Sequence, residues 1–380
     1  MKIRGRIYRD GRFTPGTMEI ADGKIAAIRG ECDGASDAVL DAGDGYVVPG
    51  LIDLHFHGAM GEDICDGSEE ALRTIARFEA SEGVTAICPA MLTLPVGHLK
   101  DVLRMAARMR GELRESADTA DLVGLNMEGP FISPVKKGAQ NGDYILPCDA
   151  ALCREFHEAS EGLLKIIGLA PEESAAFEDY IREVSPFVRV SLAHTNADYD
   201  TALRAIRAGA RHAVHLCNAM PEMTHRAPGV IGAVLDSPAV YGELICDGNH
   251  VHPSMVRALF TAMGSRICLI SDSLRAAGMG DGIIDLGGQD VRVEGTRATL
   301  VDGGNLAGSV TPLTKCLAIA VREMGVPLEA AVRAATENPA KVLGIEDEYG
   351  YLAEGRRADI LVLDGNLKKA AVFKDGVRIA

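Results

Sequence analysis

The sequence predicts an α/β chain: a (β/α)8 TIM-like barrel with a small β-sandwich domain formed by the N- and C-terminal segments. Three observations lead there. Across the middle of the chain eight short apolar runs alternate with amphipathic stretches of helical spacing, the rhythm of parallel β-α units. Both ends have another texture, short alternating segments broken by Asp-Gly pairs. Polar residues of metal-ligating type also gather where the apolar runs end, which is where barrels of this class build their active sites.

In chain order, residues 1–48 read as a small β region, with Asp10-Gly11, Asp22-Gly23 and Asp44-Gly45 as hairpin turns. The barrel runs follow: Gly50 to His55, Val84 to Cys88, Leu122 to Met127, Leu164 to Leu169, Val188 to Ala193, His212 to His215, Gly242 to Cys246 and Ile267 to Ser271. Helical spacing predicts helices over Ser68 to Ala80, Gly97 to Met109, Glu172 to Val184, Tyr199 to Ala208 and Pro253 to Met263, the last with proline in its first turn. Glycine-rich, alternating residues from Gly280 to Gly304 predict an inserted hairpin before helices Thr311 to Met324 and Leu328 to Ala335. Alternation returns in Asp359 to Asp364 and Ala370 to Ile379, so that the two ends can share one sheet. The expected division is a small β domain, 1–48 plus 355–380, and a (β/α)8 barrel, 49–354.

At 380 residues, with 47% hydrophobic and 24% charged residues, the chain can bury a large core. A net charge of -15 argues against nucleic acid as a partner, since no concentrated basic surface is present. No apolar stretch is long enough to span a membrane and the N-terminus lacks a signal-peptide core, so the expectation is a cytoplasmic protein without a membrane partner. The nine cysteines, from Cys32 to Cys316, include no Cys-x-x-Cys and several sit in apolar runs, the pattern of buried thiols.

The chemistry centres on Val47-Val-Pro-Gly-Leu-Ile-Asp-Leu-His-Phe-His-Gly58. On a strand, His55 and His57 would project to one side and could share a metal. Taken alone, such a pair is as readily strand filler as a ligand pair. The other run ends change that balance: Glu128 after the third, His194 after the fifth, His215 at the sixth and Asp272 after the eighth. Imidazoles and a carboxylate make a common ligand set for zinc and related divalent ions. Asp272 reads as a general base beside such an ion, because a divalent metal brings the pKa of water from about 15.7 to about 7. The implied class is metal-assisted hydrolysis.

With these motifs in hand, the chain resembles the N-acetylglucosamine-6-phosphate deacetylase family of the amidohydrolase superfamily over essentially its full length. The resemblance rests on Pro49 to Gly58, Glu128-Gly-Pro-Phe131, Lys137-Gly-Ala139, Ala193-His-Thr195, His215-Leu-Cys-Asn-Ala-Met220, Arg226-Ala-Pro-Gly229, Asp247-Gly-Asn-His250, Ser271-Asp272, Leu306-Ala-Gly-Ser309 and Asn338-Pro-Ala340. It implies that Glu128, His194 and His215 hold a principal metal, that His55 and His57 add a second, and that Asp272 is the catalytic acid/base. It further implies that Asn218 and Ala219 contact the substrate and that Arg226 and His250, with His225 beside them, hold a phosphate. One or two divalent ions per subunit follow, zinc first, with iron, manganese or cobalt as alternatives.

The implied reaction is deacetylation of N-acetylglucosamine 6-phosphate in amino-sugar catabolism, with N-acetylgalactosamine 6-phosphate or another N-acyl compound as the alternative substrate. A homodimer is implied as well, because in similar enzymes the arginine can cross the subunit interface. One departure stands out: where many relatives carry a histidine near the scissile amide, this chain has Gln140, which can donate a hydrogen bond but cannot become cationic. His98, His157, His212 and His252 receive no role and are expected at the surface or at helix caps.

Overall fold

The structure is a computed structural model and describes residues 1–30 and 40–380. Cys32, one of the expected buried thiols, lies outside the described residues. The other eight cysteines are free, and five of them are buried.

The two chain ends do share a sheet. Its seven strands run in the order Val377–Arg378, Lys369–Lys374, Ile360–Leu363, Leu40–Pro49, Lys2–Arg9, Arg12–Ala21 and Lys24–Gly30. Asp10-Gly11 and Asp22-Gly23 make the two hairpin turns between the first three strands, both residues of each pair having positive φ. Asp44-Gly45 does not turn a hairpin. It sits inside Leu40–Pro49, where the register against Lys2–Arg9 jumps from Asp41 to Tyr46, so the pair belongs to a bulge. The sheet folds over its own core of Ile3, Ile7, Met18, Ile25, Val47, Ile360 and Phe373. Its outer strand returns to the chain near Gly355, whose N–H donates to Ile25 O at 2.8 Å.

All eight apolar runs become parallel strands: Leu51–Asp53, Val84–Ile87 with Ala90–Met91, Asp121–Leu122 with Leu125–Met127, Leu164–Leu169, Arg189–Leu192, His212–Ala213, Tyr241–Ile245 and Ile267–Ile270. The seam between the eighth and first is closed past their ends, Asp272 N donating to His55 O at 3.0 Å and His57 N to Ser273 O at 2.7 Å. Strand alternation sorts the apolar residues into two cores. Leu51, Leu244, Ile267 and Leu269 pack outward under the helices, whereas Ile52, Ile245, Cys268 and Ile270 fill the interior with residues of helix Glu337–Leu343.

Helices Tyr199–Ala208, Pro253–Met263 and Leu328–Ala335 lie where their spacing places them, and His252 caps the second of these, its side chain accepting from Ser254 N. Two expectations fail. Glu172 to Val184 is not one helix: Pro171–Glu173 is a short 3-10 turn and the α-helix starts only at Phe177. Here Glu172 leaves the helix to receive Thr195 Oγ1 and the backbone N–H of Asn196. The segment Gly280 to Gly304 forms three antiparallel strands, Gly282–Leu286, Gln289–Glu294 and Arg297–Leu300, because the Gly295 turn adds a third strand to the hairpin.

A buried ion cluster ties the terminal sheet to the barrel. Lys374 has its ammonium 2.7 Å from Asp121 Oδ1, and donates to the carbonyls of Leu113 at 2.9 Å and Ser116 at 2.7 Å. Asp121 also meets Arg357 at 2.9 Å and accepts from Tyr349 OH at 2.7 Å. Removing one partner of a buried pair strands the other, a cost of roughly 3–5 kcal/mol. Lys374→Met should therefore lower the unfolding free energy by about that amount, read from urea melts with the metal content held constant.

Candidate metal centre and its cavity

The polar residues at the run ends converge, although not all by the expected route. His55 and His57 lie beyond the last residue of their strand, which ends at Asp53. Strand alternation therefore does not align them. They are brought together by the backbone bonds that tie His55 O to Asp272 N and His57 N to Ser273 O. Phe56 between them anchors the segment in the outer core. His194, His215 and Asp272 all have positive φ, at 42°, 21° and 50°, so the backbone swings out of each strand as the side chain turns into the mouth. Such conformations cost about 1–3 kcal/mol each and persist where surrounding contacts hold them.

Two donor groups result, His55 with His57 and Asp272, and Glu128 with His194 and His215; within each group the donor atoms lie within 4.8 Å of one another. In the second group, Glu128 Oε1 is 2.8 Å from His194 Nε2 and 2.9 Å from His215 Nε2. In the first, His57 Nε2 is 3.3 Å from Asp272 Oδ1. His55 Nε2 lies between the groups, 3.5 Å from Glu128 Oε1 and 3.7 Å from Asp272 Oδ1, and has no hydrogen-bond partner among the described residues. A buried imidazole nitrogen left facing two carboxylates fits a divalent cation, and the donor chemistry of both groups suits such an ion.

The electrostatics agree with the geometry. Burial alone would lower the pKa of His55, yet the Glu243 and Glu128 carboxylates beside it hold it well above the ordinary imidazole range. Burial likewise works against Glu128, but His194, His215 and His55 keep its carboxyl well below the usual range. Asp272 is lowered in the same way against its burial, chiefly by His57. The carboxylates are thus anionic at neutral pH, as ligands must be.

The centre opens into a cavity of about 420 Å³ lined by His57, Glu128, Gln140, His194, His215, Asn218, Ala219, His250 and Asp272. That volume suits a small polar metabolite. Gln140 is committed at both ends of its amide, its Oε1 accepting from Thr93 N at 2.6 Å and its Nε2 donating to Glu128 Oε2. It therefore holds the Glu128 carboxylate in place as well as lining the cavity. Asn218 bonds the carbonyls of His215 and Leu216, both at 3.3 Å, and fixes the turn that carries Ala219. His250 is held by Asp247 Oδ2 at 2.9 Å, and that carboxylate raises its pKa against the effect of burial.

Arg226 and His225 are not brought to this cavity within one protomer. Both are exposed, and Arg226 borders a separate depression with Asp198, Asp200 and Glu222. The cation that the same chain does place on the cavity is Lys136, which the sequence reading passed over. His212 also departs from expectation: it is fully buried, bonded through Nδ1 to Ser191 Oγ at 3.0 Å and facing Glu243 across 3.7 Å. Glu243 itself was missed, and the available signal was a carboxylate inside an otherwise apolar barrel run.

A parallel barrel with two histidine and carboxylate groups at its C-terminal mouth, each able to bind a divalent metal, defines the class of metal-dependent barrel hydrolases. The chain belongs to the Amidohydrolase family, whose sequence pattern matches residues 46–378. It is 36% identical over 354 residues to N-acetylglucosamine-6-phosphate deacetylase of Bacillus subtilis, covering 92% of this chain and 89% of that one. It is also 31% identical to N-acetylgalactosamine-6-phosphate deacetylase of Escherichia coli O157:H7, over 99% of this chain and 98% of the relative. Among solved structures, a mutant N-acetyl-D-glucosamine-6-phosphate deacetylase from Mycobacterium smegmatis, in complex with N-acetyl-D-glucosamine-6-phosphate, superposes with a TM-score of 0.93 at 30% identity, covering 100% of this chain and 99% of that one.

Burial drives the pKa of His212 down to about 4, against the opposing pull of Glu243. The folded state then binds fewer protons than the unfolded chain, whose histidine titrates near 6.5, so this contribution is full above that value and is lost as pH falls toward about 4. It amounts to roughly 3 kcal/mol. A His212→Gln variant should show a shallower fall in unfolding free energy between pH 7 and pH 5 than the wild type, measured in parallel urea melts.

Proposed function

We propose that this amidohydrolase deacetylates N-acetylglucosamine 6-phosphate, yielding glucosamine 6-phosphate and acetate. The observation that carries the proposal is that Asp272, His57 and the Glu128, His194 and His215 group share one cavity with the polar arm of Asn218, Ala219 and His250. That places an amide-cleaving centre within reach of groups suited to a sugar phosphate. The relatives named above support the same substrate class.

Glu128, His194 and His215 would hold the principal ion, and His55 and His57 with Asp272 nearby a second. Bound there, a divalent metal supplies a nucleophilic water near neutral pH and polarises the amide carbonyl. Asp272 would take the proton of the attacking water and hand it to the departing nitrogen, its anionic state suiting the first of these steps. Gln140 would keep Glu128 in place and offer its remaining amide hydrogen to the substrate. His250, oriented by Asp247, would bind the phosphate, and Lys136 adds positive charge on the same cavity.

Zinc is our first choice of metal, with iron, manganese or cobalt compatible with the same donors. The exposed position of Arg226, away from its own cavity, suits delivery to a neighbouring copy and supports a homodimer, which a solution mass measurement tests. A cytoplasmic location fits a substrate of this kind; no helix among the described residues is long and apolar enough to cross a membrane. We keep the division into a small β domain, 1–48 plus 355–380, and a hydrolase barrel, 49–354; the sheet shared by the chain ends supports it. The second reading, N-acetylgalactosamine 6-phosphate as substrate, is favoured by the near-complete overlap with the Escherichia coli relative.

Acetate and inorganic phosphate should be measured together on N-acetylglucosamine 6-phosphate, its galactosamine epimer and unphosphorylated N-acetylglucosamine. The expected pattern is acetate from the first, little from the last, and no phosphate from any; phosphate release without acetate would refute the deacetylase reading. Asp272→Asn should lower kcat by roughly 100-fold or more, with the ion in the Glu128 group retained. Unimpaired turnover would remove Asp272 from the proton-transfer role.

A further inference from the structure

Strand Tyr241–Ile245 carries a carboxylate into the barrel interior. Leu244 packs in the outer core and Ile245 in the inner one, so Glu243 shares the inward face with Ile245. Its side chain is fully buried. Oε2 receives two hydrogen bonds, from His55 Nδ1 at 2.7 Å and from the backbone N–H of His215 at 3.0 Å. Oε1 has no hydrogen-bond partner and faces His212 Nε2 across 3.7 Å. One carboxylate oxygen thus touches a member of each donor group.

We propose that Glu243 is a positioning residue of the metal centre: it fixes His55 as the Nδ1–H tautomer, leaving Nε2 free to ligate, and so decides whether the second ion is held. The inference rests on the two-ion reading of the site. A neutral imidazole donates through one nitrogen and can ligate only through the other, so whatever binds Nδ1–H selects the ligating atom and the ring's rotation. For the other three histidines of the centre a backbone carbonyl does this work. Ala90 O holds His57 at 3.0 Å, Lys136 O holds His194 at 2.8 Å and Asn218 O holds His215 at 3.2 Å. His55 differs from them in being held by a side chain. Its tautomer is therefore encoded by one replaceable residue, whereas the others are set by the fold.

The consequence is asymmetric. Without the carboxylate, His55 Nδ1–H loses the acceptor it has in the structure, and the ring is free to flip or change tautomer. His215 would lose one bond to its strained turn, at a φ of 21°, but keep Asn218 O on its ring. The second ion should go first and the principal ion should largely stay. The outer partner of a metal-ligating histidine is typically worth 10- to 100-fold in metal affinity.

The test is a metal titration of full-length protein, stripped with a chelator and reloaded in buffered zinc, with the bound ions counted by mass spectrometry. The wild type should hold two ions per chain. Glu243→Leu should weaken the second about 10- to 100-fold and leave the first within a few-fold. Glu243→Gln can place its carbonyl oxygen where Oε2 lies and keep both bonds, so it should retain the second ion with a smaller loss. Long-range proton–nitrogen spectra of the metal-free protein, followed upward in pH until His55 is neutral, should then report one His55 tautomer in the wild type and the Gln variant and a mixture in the Leu variant.

Unchanged second-ion affinity in Glu243→Leu overturns the proposal, as does equal loss of both ions or a Gln variant no better than Leu. If Glu243→Leu does not fold, Glu243→Met, which keeps the length of the side chain without a carboxylate, takes its place in both measurements. A wild type that binds a single ion sinks the two-ion reading and with it the ion-holding role of Glu243, and the spectrum then shows separately whether Glu243 fixes His55.

Discussion

The carboxylate of Glu128 is the constraint around which the barrel mouth is arranged. It is 2% exposed, and a buried carboxylate without partners would cost several kcal/mol. The fold supplies those partners from four directions: His194, His215 and Gln140 in direct contact, and His55 and His57 at 3.5 and 3.7 Å. The five residues come from four segments of the chain. The need to surround one anion therefore fixes how the third, fifth and sixth strands and the first strand's exit loop stand relative to one another.

A second buried anion lies one layer deeper. Glu243 supports His55 and the turn at His215, and His212 beside it is kept neutral by burial, so the negative charge of this layer is opposed by His55 above it. Such a charge is costly in isolation and favourable beneath divalent cations. Activity and stability are in this sense drawn from the same interactions: the left-handed turns at His194, His215 and Asp272 cost backbone energy, and the contacts of the centre hold them. The Lys374, Asp121 and Arg357 cluster, by contrast, pairs its charges within the protein and reads as structural.

Family membership and the site's chemistry fit together. The Amidohydrolase pattern begins at residue 46, just before the His-x-His segment, and runs through the returning strands of the terminal sheet to residue 378. The match leaves out the first three strands of that sheet, whose contact with the barrel at Asp121 is buried and charged. A net charge of -15 is compatible with an anionic substrate because Lys136 and His250 place positive character on the cavity itself.

The sequence by itself determined the eight strands, most of the helices, the sharing of a sheet by the chain ends and the residues that meet at the mouth. Those features follow from periodicity, turn chemistry and the position of polar residues at run ends, which are local and therefore visible in one dimension. It misplaced what depends on neighbours. The helix expected from Glu172 gave way because that carboxylate serves Thr195 and Asn196, and the Gly280 to Gly304 segment gained a third strand from the Gly295 turn. Only the tertiary structure decided that His55 and His57 converge through the backbone of the eighth strand's exit, that Gln140 leans on Glu128, and that Arg226 stands apart from its own cavity. It alone disclosed Glu243, because a lone carboxylate in an apolar run acquires meaning only once the barrel closes and sets it 2.7 Å from an imidazole 188 residues away.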